Sequence, residues 1–259
     1  GVARPVRNWV LGAADSAAAG RQVSEARRLL VAELGRRPYG EVLELQRRLC
    51  RARQEGETTE DLLLLVEHDP VVTLGRGTRE TSLPLSPDQI RARGVEVFDV
   101  ERGGDVTFHG PGQLVGYPIL DLSHHRQDLH WYLRTVEEAL IVALGTLGIS
   151  AERSAGQTGV WTQGRKIASI GIHVKQWVTF HGFALNVSTE LDYFDLIVPC
   201  GIAGVTMTSV QRELGSAAPA DLAAVTRDAV TEAFGRVFDR TPYPAMFEDW
   251  NLTAPRLPF

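Results

Sequence analysis

Seven short segments between Leu62 and Val187 constrain this chain more than anything else in it. They read LLLLV (62–66), VVTLG (71–75), VEVFDV (95–100), QLVGYPIL (113–120), GVWT (159–162), KIASIGIHV (166–174) and HGFALNV (181–187). Each is rich in leucine, β-branched or aromatic residues, and glycine or proline punctuates the series, which is the composition of strands. Helical spacing occurs at Val42, Leu45 and Leu49, at Leu133, Val136, Leu140 and Leu147, and at Leu222, Val225, Ala229 and Ala233. Pro219 and Asp221 give the last of these a start signal. Only one helical stretch falls among the strands, so the chain lacks strict βαβ alternation. The order predicts an α+β fold, a mixed β-sheet sandwich with packed helices, over a doubly wound parallel sheet.

No internal repeat or low-complexity linker interrupts residues 27–240, which predicts one domain there. Residues 1–26 read as an N-terminal extension, and the proline- and aromatic-rich 241–259 as an extended tail over the body. The net charge of −5 argues against nucleic acid as a partner. Arg27/Arg28, Arg36/Arg37 and Arg47/Arg48, with Arg51 and Arg53, read as a solvated helix face. The longest apolar run, 139–144, is too short to cross a bilayer, so no membrane association is expected. Two cysteines supply no disulfide framework, which places the chain in a reducing cytoplasm. Arg165 follows Gly164 where a phosphate-binding P-loop needs lysine. His124, His125, His130 and Asp128 match no zinc pattern, so no metal is expected and the segment reads as a polar loop capping the next helix.

Chemistry points to a cysteine and a lysine. Cys50 lies within a helical pattern and reads as a packing residue. Cys200 stands between Pro199 and Gly201, where proline holds Val198 extended and glycine permits a reversal, so its thiol is expected at the lip of a turn. Among 27 basic residues only Lys166 and Lys175 are lysines. An amine can release a proton where guanidinium cannot, which makes a surviving lysine an acid/base candidate. Strict alternation in KIASIGIHV sets Lys166 with Ala168 and Ile170 on one face, and Ile167, Ser169 and Gly171 on the other. That separates Lys166 from Ser169 and leaves Cys200 as the partner of choice. A nearby cation would lower the thiol pKa and so raise the thiolate population. The segment Glu101–Leu120 carries five glycines, which let backbone approach a ligand and expose amide donors.

Taken in order, RGGDVTFHGPGQLVGYPILDL (102–122), GVW followed by RKIASIGIHV (159–174), TFHGFALNV (179–187) and IVPCGI (197–202) resemble the octanoyltransferases of lipoate biosynthesis. EHDPVVTLGRG (67–77) resembles an early strand pair of that family, and the similarity runs from about Leu29 to Leu214. The resemblance implies a fold shared with biotin and lipoate protein ligases, and a catalytic domain over 27–240 that needs no ATP or other cofactor. Cys200 would attack the thioester of octanoyl-acyl carrier protein, with Lys166 lowering the thiol pKa and moving protons. A lysine on a lipoyl domain of 2-oxoacid dehydrogenase complexes or of the glycine cleavage H protein would then take the acyl group. The pocket would be lined, largely by backbone and apolar contact, by Arg102, Gly103, Gly104, Asp105, Val106, Thr107, Phe108 and His109. Ser169, Ile170 and Gly171 on one strand, and Gly182, Phe183 and Ala184 on the next, would complete it. A monomer is expected. Asp69 and Ser169 depart from the family pattern, where proline and alanine are frequent. An ATP-dependent lipoate or biotin ligase and a non-catalytic acyl-binding protein are the competing readings; a catalytic role for Cys200 separates them.

Overall fold

In the computed structural model of the protein, residues 27–199 and 204–246 are described. The chain runs through β1 (Arg28–Arg37), α1 (Tyr39–Gln54), β2 (Asp61–His68), β3 (Val71–Leu74), α2 (Pro87–Arg91), β4 (Glu96–Asp99), β5 (Thr107–His109) and β6 (Gln113–Ile119). It continues through α3 (Leu129–Thr146), β7 (Val160–Thr162), β8 (Arg165–Lys175), β9 (Val178–Asn186), α4 (Val210–Leu214), α5 (Leu222–Val237) and β10 (Thr241–Pro244). Seven strands form one sheet in the order β10-β1-β2-β6-β9-β8-β7, and β4-β3-β5 form a second. β1 is parallel to both β10 and β2, whereas the pairings from β2 through β6, β9 and β8 to β7 are antiparallel. The expected mixed-sheet α+β class is the one observed.

Apolar side chains cover both faces of the large sheet. β2 shows why its sequence is a leucine run without alternation: Leu63 and Leu65 enter the core that includes α3 and α5 residues, while Leu62, Leu64 and Val66 enter the core that includes α1 residues. A strand covered on both sides needs apolar residues at every position. A third core joins the small sheet, through Val72, Val106 and Phe108, to Phe194, Ile197 and Met207. Asp128 caps α3, its carboxylate accepting from the Trp131 amide at 3.0 Å, so that part of the histidine-rich segment does begin the next helix.

The readings of the arginine-rich start and of the segment after residue 240 are corrected. Arg28, Arg36 and Arg37 belong to a strand, β1, and Arg53 at the end of α1 is buried with its Nη1 donating to Thr58 O at 3.0 Å. Only part of the series is a solvated helix face, because Arg53 has a carboxylate, Asp61, to meet inside. Thr241–Pro244, within the segment read as a tail, pairs in parallel with β1 and extends the sheet past residue 240. Residues 1–26 and 247–259 lie outside the described residues, as do Cys200 and Gly201.

Candidate active site

The site is built on the α1 side of the large sheet. Register places Ser169 opposite Ala184 and Ala184 opposite Val115, one step across each of three neighbouring strands. The period of two then brings Ser169 and Gly171 of β8, Ala184 of β9, and Val115 and Tyr117 of β6 to one face. Above them lie β5, the loop before it, and Tyr39 from the start of α1. They enclose a cavity of about 310 Å³, closed at one side by Gly156, Gln157 and Thr158. That volume falls at the small end of the range for ligand sites, about 300–1,000 Å³.

Most of the residues singled out in the sequence lie on this wall: Arg102, Gly104, Asp105, Val106, Thr107 and His109 on one side, and Ser169–Gly171 and Gly182–Ala184 on the other. Gly103 and Phe108 are not on it. The Gly103 amide donates to the Ile172 carbonyl at 2.8 Å, tying the loop to β8. The Phe108 ring turns into the third core, stacked on Tyr193 at 4.7 Å between centroids. Ile170 and Phe183 reach the cavity only through their backbone, since their side chains join the core with α3 and α5, where Phe183 stacks on Phe234 at 5.2 Å. Gly182 is required by packing, because a Cβ there would run into the Gly116 carbonyl oxygen and stand 2.6 Å from Pro118 Cδ.

The face assigned to Lys166 is corrected by a bulge. Val160 and Trp161 are consecutive on β7, but their partners on β8 are Ala168 and Lys166, so Ile167 is the extra residue. Ile167 and Ala168 consequently enter the same core, and alternation is reversed for the residue before them. Lys166 therefore shares the cavity side of β8 with Ser169 and Gly171. It is 1% exposed. Its Nζ lies 4.8 Å from the centre of the Trp161 ring, and its Cε passes Gly159, where a Cβ would stand only 2.9 Å away. Gly159 follows Thr158 of the cavity wall. Cys200 itself is outside the described residues; the chain leading to it is anchored by the Val198 amide on Ser82 O at 2.9 Å, and the chain leaving it by Thr206 O, which accepts from the Lys166 amide at 2.8 Å.

Buried polar groups around the cavity are held in defined protonation states. The Arg102 guanidinium donates through Nη2 to the Thr73 carbonyl at 2.7 Å and through Nη1 to Gly103 O at 3.1 Å. Gln113 Nε2 donates to the Phe108 carbonyl and to Asn186 Oδ1, so its Oε1 accepts from His109 Nδ1 at 2.8 Å. Burial, aided by His68, pushes His109 down to about 3, which keeps the ring neutral with Nε2 as an acceptor. Burial likewise lowers His68 to about 4; its Nδ1 donates to Arg37 O at 2.9 Å and its Nε2 accepts from the Tyr117 hydroxyl at 2.8 Å. His181, also on the wall, adopts a left-handed backbone (φ 56°), and its amide donates to Gln46 Oε1 at 2.9 Å. Its Nε2 is 3.7 Å from Glu101 Oε2, too far for a hydrogen bond. Arg47 grips Glu101 at 2.9 and 3.0 Å. Cys50, by contrast, is buried in α1, and burial raises its thiol to about 11, so it stays protonated.

Tyr39, Val115, Tyr117, Gln157, Thr158 and His181 line the cavity without having been singled out in the sequence. Tyr117 and His181 sit inside quoted motifs, two residues from Val115 and directly before Gly182, so proximity to the motif glycines was their available signal. Tyr39 opens a helix far from any motif, and nothing local marks it.

Residues 38–238 match the lipoyl protein ligase A/B catalytic domain family. The chain is 48% identical to the octanoyltransferase of Gloeobacter violaceus over 85% of its own length and 95% of that protein's. The chain belongs to the octanoyltransferase family. The enzyme, an acyltransferase, is also 48% identical to the octanoyltransferase of Synechocystis, over 79% of its own length and 87% of that protein's. In fold it is similar to a bipartite lipoate protein ligase from Thermoplasma acidophilum, with a TM-score of 0.67 at 17% identity over 85% of this chain and 88% of that one. It is similar to a lipoate-protein ligase A solved with ATP as well, with a TM-score of 0.63 at 17% identity over 85% and 89% of the two chains. Among the described residues no helix is long and apolar enough to cross a membrane, and no group of three histidine, cysteine, aspartate or glutamate side chains is placed to hold a metal.

Proposed function

We propose that the enzyme carries out octanoyl transfer in protein lipoylation, from octanoyl-acyl carrier protein to a lysine of a lipoyl domain, through a thioester on Cys200. The acceptors are lipoyl domains of 2-oxoacid dehydrogenase complexes and of the glycine cleavage H protein, and the enzyme acts as a cytoplasmic monomer. The Cys200 thiol gives its proton to Lys166 as its sulfur attacks the donor's carbonyl carbon; a new carbon–sulfur bond forms, the donor's breaks, and the carrier leaves as a thiol with the proton that Lys166 returns. The acceptor amine then attacks the enzyme's thioester, a carbon–nitrogen bond replaces the carbon–sulfur bond, and the amine's proton passes through Lys166 back to sulfur. No ATP is consumed, since the donor is already a thioester.

The observation that carries this reading is Lys166: a buried amine on the cavity side of β8, its stem against Gly159 beside the cavity wall. Among the groups lining the cavity, Val115, Ala184 and the exposed backbone offer an alkyl chain apolar contact, each methylene gaining about 0.8 kcal/mol on burial. Arg102, Gly104, Asp105, Val106, Thr107, His109, Ser169, Ile170, Gly171, Gly182, Phe183 and Ala184 are assigned to that chain's binding. Gly103 and Phe108 hold the loop in place. Intact-mass analysis tests the proposal. Mixing with octanoyl-acyl carrier protein should add one octanoyl group, which a lipoyl domain then removes. Cys200→Ala should form no adduct, and Lys166→Arg should lose at least about 100-fold in acylation rate, since guanidinium keeps its charge but releases no proton. Turnover by Cys200→Ala with octanoate and ATP would instead identify a ligase, and octanoyl-carrier binding without any adduct in the unmodified enzyme would identify a binding protein.

A further inference from the structure

Beyond Gln157 the surface opens into a second depression of about 490 Å³, lined by Glu152, Ser154, Gln157, Trp161, Gly204 and Val205 among others. Gln157 belongs to the walls of both this groove and the acyl cavity. Two other parts of the groove border Lys166. Its Nζ lies 4.8 Å from the ring centre of Trp161, and its amide is bonded to Thr206, the residue after Val205. The groove thus approaches the buried Lys166 amine through Trp161 and adjoins the acyl cavity through Gln157.

The charge of the groove is one-sided. Arg153 also lines it, but its Nε and Nη2 are held by Glu137 at 3.1 Å and Glu138 at 2.6 Å, and Nη2 also donates to Arg134 O. Its charge is balanced by carboxylates behind the groove. Glu152 is exposed, and among the described residues its carboxylate makes no ion pair. An anionic carrier arm would meet an uncompensated negative charge here, whereas an ammonium group would be attracted by it.

We infer that this groove receives the acceptor, a lysine side chain of the protein to be acylated, and that Glu152 holds its ammonium group at the mouth. The inference rests on the reading given under Proposed function. The ammonium gives one proton to solvent as it passes Glu152. The neutral amine then attacks the thioester carbonyl, the carbon–nitrogen bond forms as the carbon–sulfur bond breaks, and the nitrogen's remaining surplus proton ends on the sulfur. Glu152 is a positioning residue, acting on the second half-reaction only.

The two half-reactions can be timed separately in the full-length enzyme by mass spectrometry. For Glu152→Gln, acylation by octanoyl-acyl carrier protein should keep its rate within about twofold, while the second-order rate constant for deacylation by a lipoyl domain should fall about 3- to 10-fold. Glu152→Lys should slow deacylation further, and added salt should slow the unmodified enzyme's deacylation toward that of Glu152→Gln. Unchanged acylation also reports that each variant is folded. Deacylation at the unmodified rate in both variants would overturn the inference, as would a loss confined to acylation, which would assign the groove to the donor arm. An unmodified enzyme that never acquires an octanoyl group would overturn the parent reading, and this one with it, by a different observation.

Discussion

Two histidines beside the acyl cavity, His109 and His68, titrate near 3 and 4 because burial removes the water that would solvate their cations. In the unfolded chain both titrate near 6.5. Between those values the unfolded state binds protons that the native state refuses. Stability from this source is therefore complete above about pH 6.5 and falls as pH drops, by about 1.4 kcal/mol per pH unit for each ring, levelling off below the folded values. Urea midpoints measured from pH 7 to pH 4.5 should decline, and His68→Gln and His109→Gln should each flatten the decline, whatever they do to stability at pH 7. An equally steep decline in both variants would refute the assignment. At this scale the sequence identified the cavity glycines and Lys166 by type and motif. It did not reveal that Lys166 and Ser169 share a face, because a bulge at Ile167 depends on how β7 pairs with β8.

Among elements, the contact between β6 and β9 is where side-chain size matters most. A methyl group at Gly182 would meet the Gly116 carbonyl and Pro118, so Gly182→Ala must push two paired strands apart at the floor of the cavity. Overpacking of this kind costs about 1–3 kcal/mol, which in a domain of this size lowers Tm by about 2–12 °C. Gly145, exposed near the end of α3, has nothing within 4 Å of its would-be Cβ. Gly145→Ala should leave Tm unchanged or raise it by a degree or two, since alanine favours a helix by about 0.5–1 kcal/mol over glycine. Equal thermal shifts in the two variants would remove the packing explanation. The strands from β2 to β9 were legible from punctuation and β-rich composition, except β5, which is three residues long within a glycine-rich loop. β1 was not, because its arginines and Glu33 mask its buried residues and its register shifts between Glu33 and Arg36. β10 carries Pro242 and Pro244, which are tolerated only because it is an edge strand.

Across the whole molecule, three segments remote in sequence are closed by one buried carboxylate. Asp61 at the start of β2 is 3% exposed and accepts from Arg240 Nε at 2.7 Å, while His125 Nε2 lies 2.6 Å away and Arg53 Nη2 3.7 Å away. Burial alone would raise its pKa, but His125 and then Arg240 outweigh it and hold the carboxyl below the usual range. Its stabilisation is thus present above about pH 4 and lost as pH falls through the folded value. Arg240→Met should cost about 3 kcal/mol by leaving that carboxylate short of a partner. Asp61→Asn combined with Arg240→Met should cost less than the sum of the two changes made separately, and additive losses in urea denaturation would show that the pair is not coupled.

The sequence by itself determined the class of fold, the family, and the residue types that chemistry demands, because strand punctuation, motif glycines and a scarce lysine are local properties of the chain. The tertiary structure alone decided which side of β8 carries Lys166, that Phe108 and Phe183 turn their rings away from the cavity, and that Tyr39, Tyr117 and His181 help to enclose it. Those facts depend on register, on a one-residue bulge and on which core claims each face, and pairing between distant strands is not written in any short window of sequence.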